Sequence, residues 1–516
     1  MNLEDNQTEE QKTGTVYLVG AGPSDVELIT VKGKRLLEEA DVIVYDRLMG
    51  NGILMWGNEK ASYINVGKTS GHHPIPQDEI NRILIREAKK GKKVVRLKGG
   101  DPLVFGRGGE EAAALGRAGV SFEIVPGITS AVAVPAYLGI PVTHRDLASS
   151  VHIVTAHKKD GTLPDIRYRA LTEGGGTLVF LMGLHTIRAV MEGLLREGIE
   201  PDLPAAVLER GTTARQRKIV GTVGNIAALT EEASVRSPAI ILVGHAAEFT
   251  GMEWFDRRPL AGVKIAVTRP KERISRLSSM LRERGAEVLE LPSIRVVPVE
   301  ENEKLSRELE QIGTYTWLVF TSPSGVRIFR RELSGRKVDV RSLSHLKIAV
   351  IGEGSQRELE EWGLFPDLVP DVYDGEHLGS ALAERIRKGE KVLLPRARAG
   401  GRKLVEKLQE AGAVVTDLPT YDTLYDTCPY VDYEEEFVNG GTDYVMFTSA
   451  STVRGFVKST PSLDFSKVTA LCIGQMTRRE AQDAGMKTYT ARQATLDSLV
   501  ELAIQTVREE KEYGKA

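Results

Sequence analysis

An α/β protein of several domains is what this sequence predicts, and three observations predict it. Short runs of β-branched and aliphatic residues recur along all 516 positions, separated by longer stretches of helical periodicity. Many of these runs stop in Gly-rich or Thr-Ser turns that open a helix, as β-to-α connections do. The second half repeats its own pattern in register, which predicts two similar lobes, each built on a parallel sheet.

Length and composition set the frame. At about 100–200 residues per domain the chain holds three or four folding units. A hydrophobic content of 41% with 27% charged residues is that of an ordinary soluble globular protein. No stretch approaches the roughly 20 apolar residues of a membrane span, so no membrane partner is expected. Residues 1–14, MNLEDNQTEEQKTG, are polar and acidic and predict a disordered tail rather than a secretion signal. Cys428 and Cys472 are too few for a disulfide framework and have no paired metal spacing, which fits a reducing cytoplasm. The net charge of −3 lacks the basic surplus of a nucleic-acid binder. An acidic ligand must then be met by local basic clusters.

In the first half, VYLVG at 16–20 reads as a buried strand feeding Ala21, Gly22, Pro23, Ser24 and Asp25, with a helix starting around Glu27. Gly20 and Gly22 look like the opening of a dinucleotide fingerprint, but no third glycine follows at the helix-packing position. The loop suits a ligand approached by backbone and lacking phosphates. Asp46 ends the apolar strand Val42 to Tyr45, and Lys68 follows Val66-Gly67. The stretch VVRLKGGDPLVFGRGGEE at 94–111 runs a strand straight into Gly99, Gly100, Asp101 and Pro102. That is either a ligand loop with an exposed backbone and a carboxylate beside it, or a plain β-to-α turn. The adjacent His72 and His73 point apart in a strand and have no third ligand suitably spaced, so no metal site is read.

A seam falls at GMEWFDRRPLAG, 251–262, before a fresh strand KIAVTRP at 264–270. KIAVTRP recurs 127 positions on as KVLLPRA at 391–397, which sets Arg269 over Arg396. At the same offset Gly285 meets Gly412, and VFTSPSGVR at 319–327 meets MFTSASTVR at 446–454. IAVIGEG at 348–354 corresponds to ALCIGQM at 470–476 after a five-residue slip. Two lobes leave a cleft, and ligands of such sheets gather outside the carboxyl ends of the strands. Those ends carry Arg269, Thr321, Ser322, Gly352, Arg396, Thr448, Ser449 and Gly474. The Thr-Ser pairs can cap helices, bind anions beside free helix amides, or do both.

VGAGPSDVELIT, VYDRL at 44–48, VGK at 66–68, VVRLKGGDPLVFGRGGEE, VPGITSAVAVPAYLGIPVTHR at 125–145, TLVFLMG at 177–183 and LERGT at 208–212 occur in this order. Over about 15–256 the chain resembles the uroporphyrinogen-III C-methyltransferases, which take two methyl groups from S-adenosylmethionine and make precorrin-2. The resemblance implies a two-lobed tetrapyrrole methylase fold, S-adenosylhomocysteine as product, and a homodimer through this half. It implies Asp46, in Tyr-Asp-Arg, as proton acceptor, where the residues alone also allow a helix cap or a pair with Arg47. Lys68 is implied as proton donor, or as a partner for a propionate. Pro23, Gly99, Gly100, Asp101, Val104, Thr129, Ser130, Met182 and Gly211 are implied as the S-adenosylmethionine site. The chemistry agrees with that set, because adenine wants an apolar slot with backbone partners and the amino-acid end wants hydroxyl and carboxylate groups. Ser24 stands where many relatives have Gly. Arg107 and Arg145, in loops bounded by glycine or proline, have forks shaped for substrate carboxylates.

The second half, about 257–511, resembles uroporphyrinogen-III synthase, which closes hydroxymethylbilane to uroporphyrinogen III. That likeness implies one lobe from about 260–295 with 423–511, and another from about 296–422, joined by two short connectors. Substrate carboxylates would meet Arg269, Thr321, Ser322, Arg396, Thr448 and Ser449, and Tyr421 in LPTYDT is the implied acid. A phenol is protonated at neutral pH and can donate. A fused bifunctional enzyme is therefore expected, with a silent tetrapyrrole-binding or docking module as the alternative for the second half. A later precorrin methylase is the alternative for the first.

Overall fold

The computed structural model describes residues 13–46, 49–67, 75–158, 162–269, 271–428, 431–439 and 441–513. They fall into two compact units, drawn from Met1–Ile265 with Leu281–Leu289 and Tyr430–Asp432, and from Ala266–Met280, Glu290–Pro429 and Tyr433–Ala516. Among the described residues no helix is long and apolar enough to cross a membrane.

In the first unit, β1 (Val16–Gly20), β2 (Val42–Tyr45), β3 (Ser62–Asn65), β4 (Val94–Lys98) and β5 (Phe122–Val125) form a parallel sheet. The order is β3-β2-β4-β1-β5. Strands β1 and β2 are near-continuous apolar runs because both faces are covered, whereas β4 between them carries Arg96 and Lys98. Leu36, Leu37, Ile53 and Leu54 pack in a core with Ile43 and Val95, while Ile80, Ile83, Leu84 and Leu115 pack in another with Val44 and Val94. From β1 the chain moves across the sheet to β2, and from β4 it moves the other way to β5. The adjacent ends of β4 and β1 thus flank the reversal of strand order, where sheets of this kind open a crevice.

The expected helix near Glu27 divides in two. Asp25 caps only a 3-10 turn, Val26–Leu28, by accepting from the Glu27 amide at 2.9 Å. Ile29 then returns to extended backbone, and the α-helix Val31–Glu38 starts afresh where Thr30 Oγ1 accepts from the Gly33 amide at 3.1 Å.

A second sheet joins β6 (Val151–Thr155), β7 (Thr177–Leu181), β8 (Pro204–Glu209), β9 (Arg217–Thr222) and β10 (Ala239–Val243). It runs β6-β7-β10-β8-β9, with β6 and β7 parallel and the other pairs antiparallel. The helix Ser130–Tyr137 links the two sheets. It follows β5 directly, and its Ala131 and Val134 pack with Leu181, Leu208 and Leu242 of the second sheet.

The rest of the chain supplies β11 (Lys264–Val267), β12 (Glu287–Glu290), β13 (Ile294–Pro298), β14 (Trp317–Phe320), β15 (Lys347–Val350), β16 (Lys391–Ala397), β17 (Val414–Tyr425), β18 (Tyr444–Phe447), β19 (Thr469–Cys472) and β20 (Lys487–Thr490). They form two sheets, β12-β11-β18-β19-β20 and β13-β17-β16-β14-β15. The sequence repeat superposes β11 and β12 on β16 and β17, and β14 and β15 on β18 and β19. Both sheets therefore share one order over four strands, with β20 and β13 added at opposite edges, but each mixes strands from both copies of the repeat. The chain passes between the sheets at Ser293 and again near Asp426. The Asp426 amide donates to the Ser293 carbonyl at 3.0 Å. Ser293 is buried, with its Oγ–H shared between the carbonyls of Thr452 at 2.9 Å and Thr268 at 3.1 Å.

Candidate functional sites

At the strand-order reversal two glycine loops meet. Gly22 and Gly100 exchange backbone hydrogen bonds, N to O at 3.1 Å and 2.7 Å, as an isolated bridge. Gly100 holds φ +68°, a left-handed value that explains a glycine there. Asp101 locks the surroundings. One carboxylate oxygen accepts from the Leu103 amide at 2.8 Å and the Val104 amide at 3.2 Å, and the other accepts from Gly127 at 3.0 Å. Two loop segments, Asp101's own and that of Gly127, are thereby held by one side chain.

Thr129 is the N-cap of the linking helix, with Oγ1 accepting from the Ala131 amide at 3.4 Å, and Ser130 is the first helical residue. A Cβ on Gly100 would lie 3.8 Å from the Ser130 nitrogen, so the helix start faces this loop closely. Met182 follows β7 at φ +59° and is 50% exposed. An exposed thioether in the left-handed region is uncommon for a residue serving only as core filling. Gly211 approaches the same helix so nearly that a Cβ would come within 2.3 Å of Val134 Cγ1. Pro23 is buried in the first loop, and Gly99 follows the end of β4.

Asp46 stands at the end of β2, 22% exposed at its side chain, over a buried charge cluster. Arg96 Nη2 lies 3.3 Å from Asp46 Oδ2, and Arg96 Nε lies 3.1 Å from Glu111 Oε1. Lys98 Nζ reaches the same Glu111 oxygen at 3.1 Å, and Gln77 Nε2 at 3.0 Å. Glu111 is fully buried, and its Oε2 has no hydrogen-bond partner among the described residues. Burial, with Arg96 next, holds the Lys98 pKa below that of an ordinary lysine. None of Arg96, Lys98 or Glu111 was expected as a site residue. The signal was present: two charges at alternate positions of a strand buried on both faces must have partners.

Lys68, His72 and His73 lie outside the described residues. Arg107 is exposed and forks onto Glu110 with both bonds at 2.8 Å, and Arg145 lies exposed in the turn after His144.

In the second half, Ser322 caps the helix Pro323–Gly335 by accepting from Gly325 at 3.0 Å, and Ser449 caps Ala450–Ser459 by accepting from Thr452 at 3.3 Å. Thr321 and Thr448 precede them, partly buried. Tyr421 is buried on β17, where that strand leaves its parallel pairing with β16 and pairs antiparallel with β13. Its hydroxyl lies 2.7 Å from Ser322 Oγ, which joins the expected acid to a helix cap. Arg269 is partly buried at the end of β11. Arg396 departs from the expectation of a ligand-gripping residue. It is buried, forks onto Asp417 at 2.8 and 2.6 Å, and donates to the Gly401 carbonyl at 2.6 Å. The matched position in the repeat has become a structural ion pair.

Residues 15–227 match the family model of Tetrapyrrole (Corrin/Porphyrin) Methylases, and residues 275–501 that of Uroporphyrinogen-III synthase HemD. The Porphyrin biosynthesis protein HemD of Ruminiclostridium josui is 43% identical over 493 residues, which cover 95% of this chain and 98% of that protein. The Uroporphyrinogen-III C-methyltransferase of Bacillus subtilis is 42% identical over 383 residues, 73% of this chain and 78% of its own. A crystal structure of uroporphyrin-III C-methyl transferase from Thermus thermophilus, complexed with S-adenyl homocysteine, is 40% identical over 46% of this chain and 94% of that one, with TM-score 0.40. Fold and matches define a two-part enzyme of porphyrin biosynthesis, a methyltransferase followed by a synthase. The chain belongs to the family of the porphyrin biosynthesis protein HemD, in which a tetrapyrrole methylase is fused to a uroporphyrinogen-III synthase.

Proposed function

We propose that the chain cyclises hydroxymethylbilane to uroporphyrinogen III and then methylates that product twice, giving precorrin-2. The observation that carries the methylation reading is the bridged pair of glycine loops at the strand-order reversal. Their lining of backbone, hydroxyl and carboxylate groups, with no lysine or arginine in Gly20–Asp25 or Gly99–Val104, suits a ligand without phosphates. S-adenosylmethionine supplies an electrophilic methyl group when bound. Pro23, Gly99, Gly100, Asp101, Val104, Thr129, Ser130, Met182 and Gly211 would hold it, and Asp101 acts chiefly by fixing the loops.

Transfer of a methyl group to a pyrrole carbon leaves a proton to remove, and Asp46 is the acceptor in this reading. Arg96 behind it, 3.3 Å from Oδ2, fixes its direction. Lys68 would donate a proton or hold a propionate, and Arg107 and Arg145 would bind carboxylates after exchange from protein or solvent partners.

For cyclisation the main task is to fold a flexible polyanion so that the correct carbon attacks. The free amides of the helices capped by Ser322 and Ser449 suit carboxylates, with Thr321, Thr448 and Arg269 beside them. Tyr421, bonded to Ser322, would protonate the departing hydroxyl. We further propose domains of 15–256 and 257–511, a homodimer through the first, and a cytoplasmic setting.

The decisive experiment incubates the whole chain with hydroxymethylbilane and S-adenosylmethionine and identifies the pigments. Precorrin-2 supports both activities. Unmethylated type III porphyrin alone defeats the methylation reading, and type I porphyrin alone reduces the second half to a binding module.

A further inference from the structure

After the last strand of the first unit's sheets, the segment containing Met252–Arg258 folds onto the C-terminal end of the helix Ser130–Tyr137. Trp254 Nε1 donates to the Ala136 carbonyl at 2.9 Å, and the Trp254 ring meets Tyr137 edge-on with centroids 5.1 Å apart. Phe255 packs on Tyr137 at 5.0 Å, and the Arg258 guanidinium lies 4.7 Å from the Trp254 ring centre. Gln216 Nε2 secures the segment by donating to Asp256 at 3.0 Å. Tyr137 is thus clamped at its ring, while its hydroxyl donates to Asp25 Oδ2 at 2.7 Å. Burial, and then the Asp25 carboxylate, push the phenol's pKa well up, so it stays protonated and donating. Asp25 uses its other oxygen on the Glu27 amide. It closes the loop whose Gly22 bridges to Gly100.

We propose that the Trp254–Phe255 strap, acting through Tyr137 and Asp25, positions the Gly22–Pro23 wall of the donor pocket so that S-adenosylmethionine meets a preformed site. The inference rests on the donor-site reading above. A preformed wall spares the ligand the ordering of a loop, so loosening it weakens binding without touching the reacting groups. A strap that merely covered apolar surface would not need to clamp the one ring whose hydroxyl holds a carboxylate of that loop.

The test is calorimetric titration of the full chain with S-adenosylhomocysteine, comparing wild type, Tyr137→Phe, Trp254→Ala, the double variant and Trp254→Phe. Tyr137→Phe keeps the ring contacts and removes only the bond to Asp25. Each of Tyr137→Phe and Trp254→Ala should raise Kd by about three- to tenfold. The double variant should fall short of the product of the two, because both act along one path. Trp254→Phe should recover part of the loss, and KM for the donor should rise while kcat at saturating donor holds. Unchanged Kd in both single variants, a fully multiplicative double variant, or weakening that only tracks a falling melting temperature would each overturn the proposal. A wild-type chain that fails to bind S-adenosylhomocysteine defeats the donor-site reading itself, and this inference with it.

Discussion

Arg96 and Lys98 leave the same side of β4, and one oxygen of Glu111 serves both. Charges with so little exposure persist only in pairs, so Glu111 is a keystone of the first unit. Replacing it by alanine strands the buried Lys98 and leaves Arg96 with Asp46 as its carboxylate partner, and should destabilise the methylase half by about 3–5 kcal/mol in urea unfolding. An unchanged midpoint would show that water reaches the cluster. Asp46→Asn keeps the shape and removes the base. Methylation should fall by about 10²–10⁴-fold, while conversion of hydroxymethylbilane is untouched. Retained methylation would move the proton acceptor elsewhere.

Caps and ends decide the next level. Ser322 has two partners, the Gly325 amide and the Tyr421 hydroxyl. Ser322→Ala should therefore cost about 1 kcal/mol of stability and also slow cyclisation, whereas a purely structural cap would show only the first effect. Glu87 sits in the last turn of the helix Gln77–Lys89, where a carboxylate runs against the usual preference for cations that Arg86 and Lys89 follow. Glu87 is nevertheless stable in that place because Lys90, Lys92 and Arg86 surround it, and they hold its pKa down from 4.5 to about 2. A depressed carboxylate stabilises the fold above its unfolded pKa and loses that contribution as pH falls. Acid unfolding should accordingly steepen between pH 4.5 and about 2, and Glu87→Gln should flatten that limb. Equal slopes in the two proteins would mean the cluster is already broken in solution.

At the scale of the whole molecule, the repeat was readable but its exchange of strands was not a matter of periodicity. Lys264–Val267 and Lys391–Ala397 look alike in sequence, yet each sits beside a Thr-Ser strand from the other copy. The passage between sheets is tight: a Cβ on Gly455 would lie 2.2 Å from the Ser293 carbonyl oxygen. Gly455→Ala should wedge this crossing and impair cyclisation, with methylation of added uroporphyrinogen III unaffected. Product analysis on the two substrates separates these outcomes, and full cyclisation in the variant would show that the crossing does not govern the second activity.

Local chemistry was legible throughout. Strand ends, the glycine loops, the Thr-Ser caps and the register of the repeat follow from steric and hydrogen-bonding rules that act over a few residues, so the linear chain determines them. The tertiary structure alone decided which residues meet. It paired Arg396 with Asp417, gathered Arg96, Lys98, Glu111 and Asp46 under one strand end, and brought Trp254 onto Tyr137. Such contacts depend on which strands become neighbours, and that choice is made by burial of the whole core rather than by any one segment.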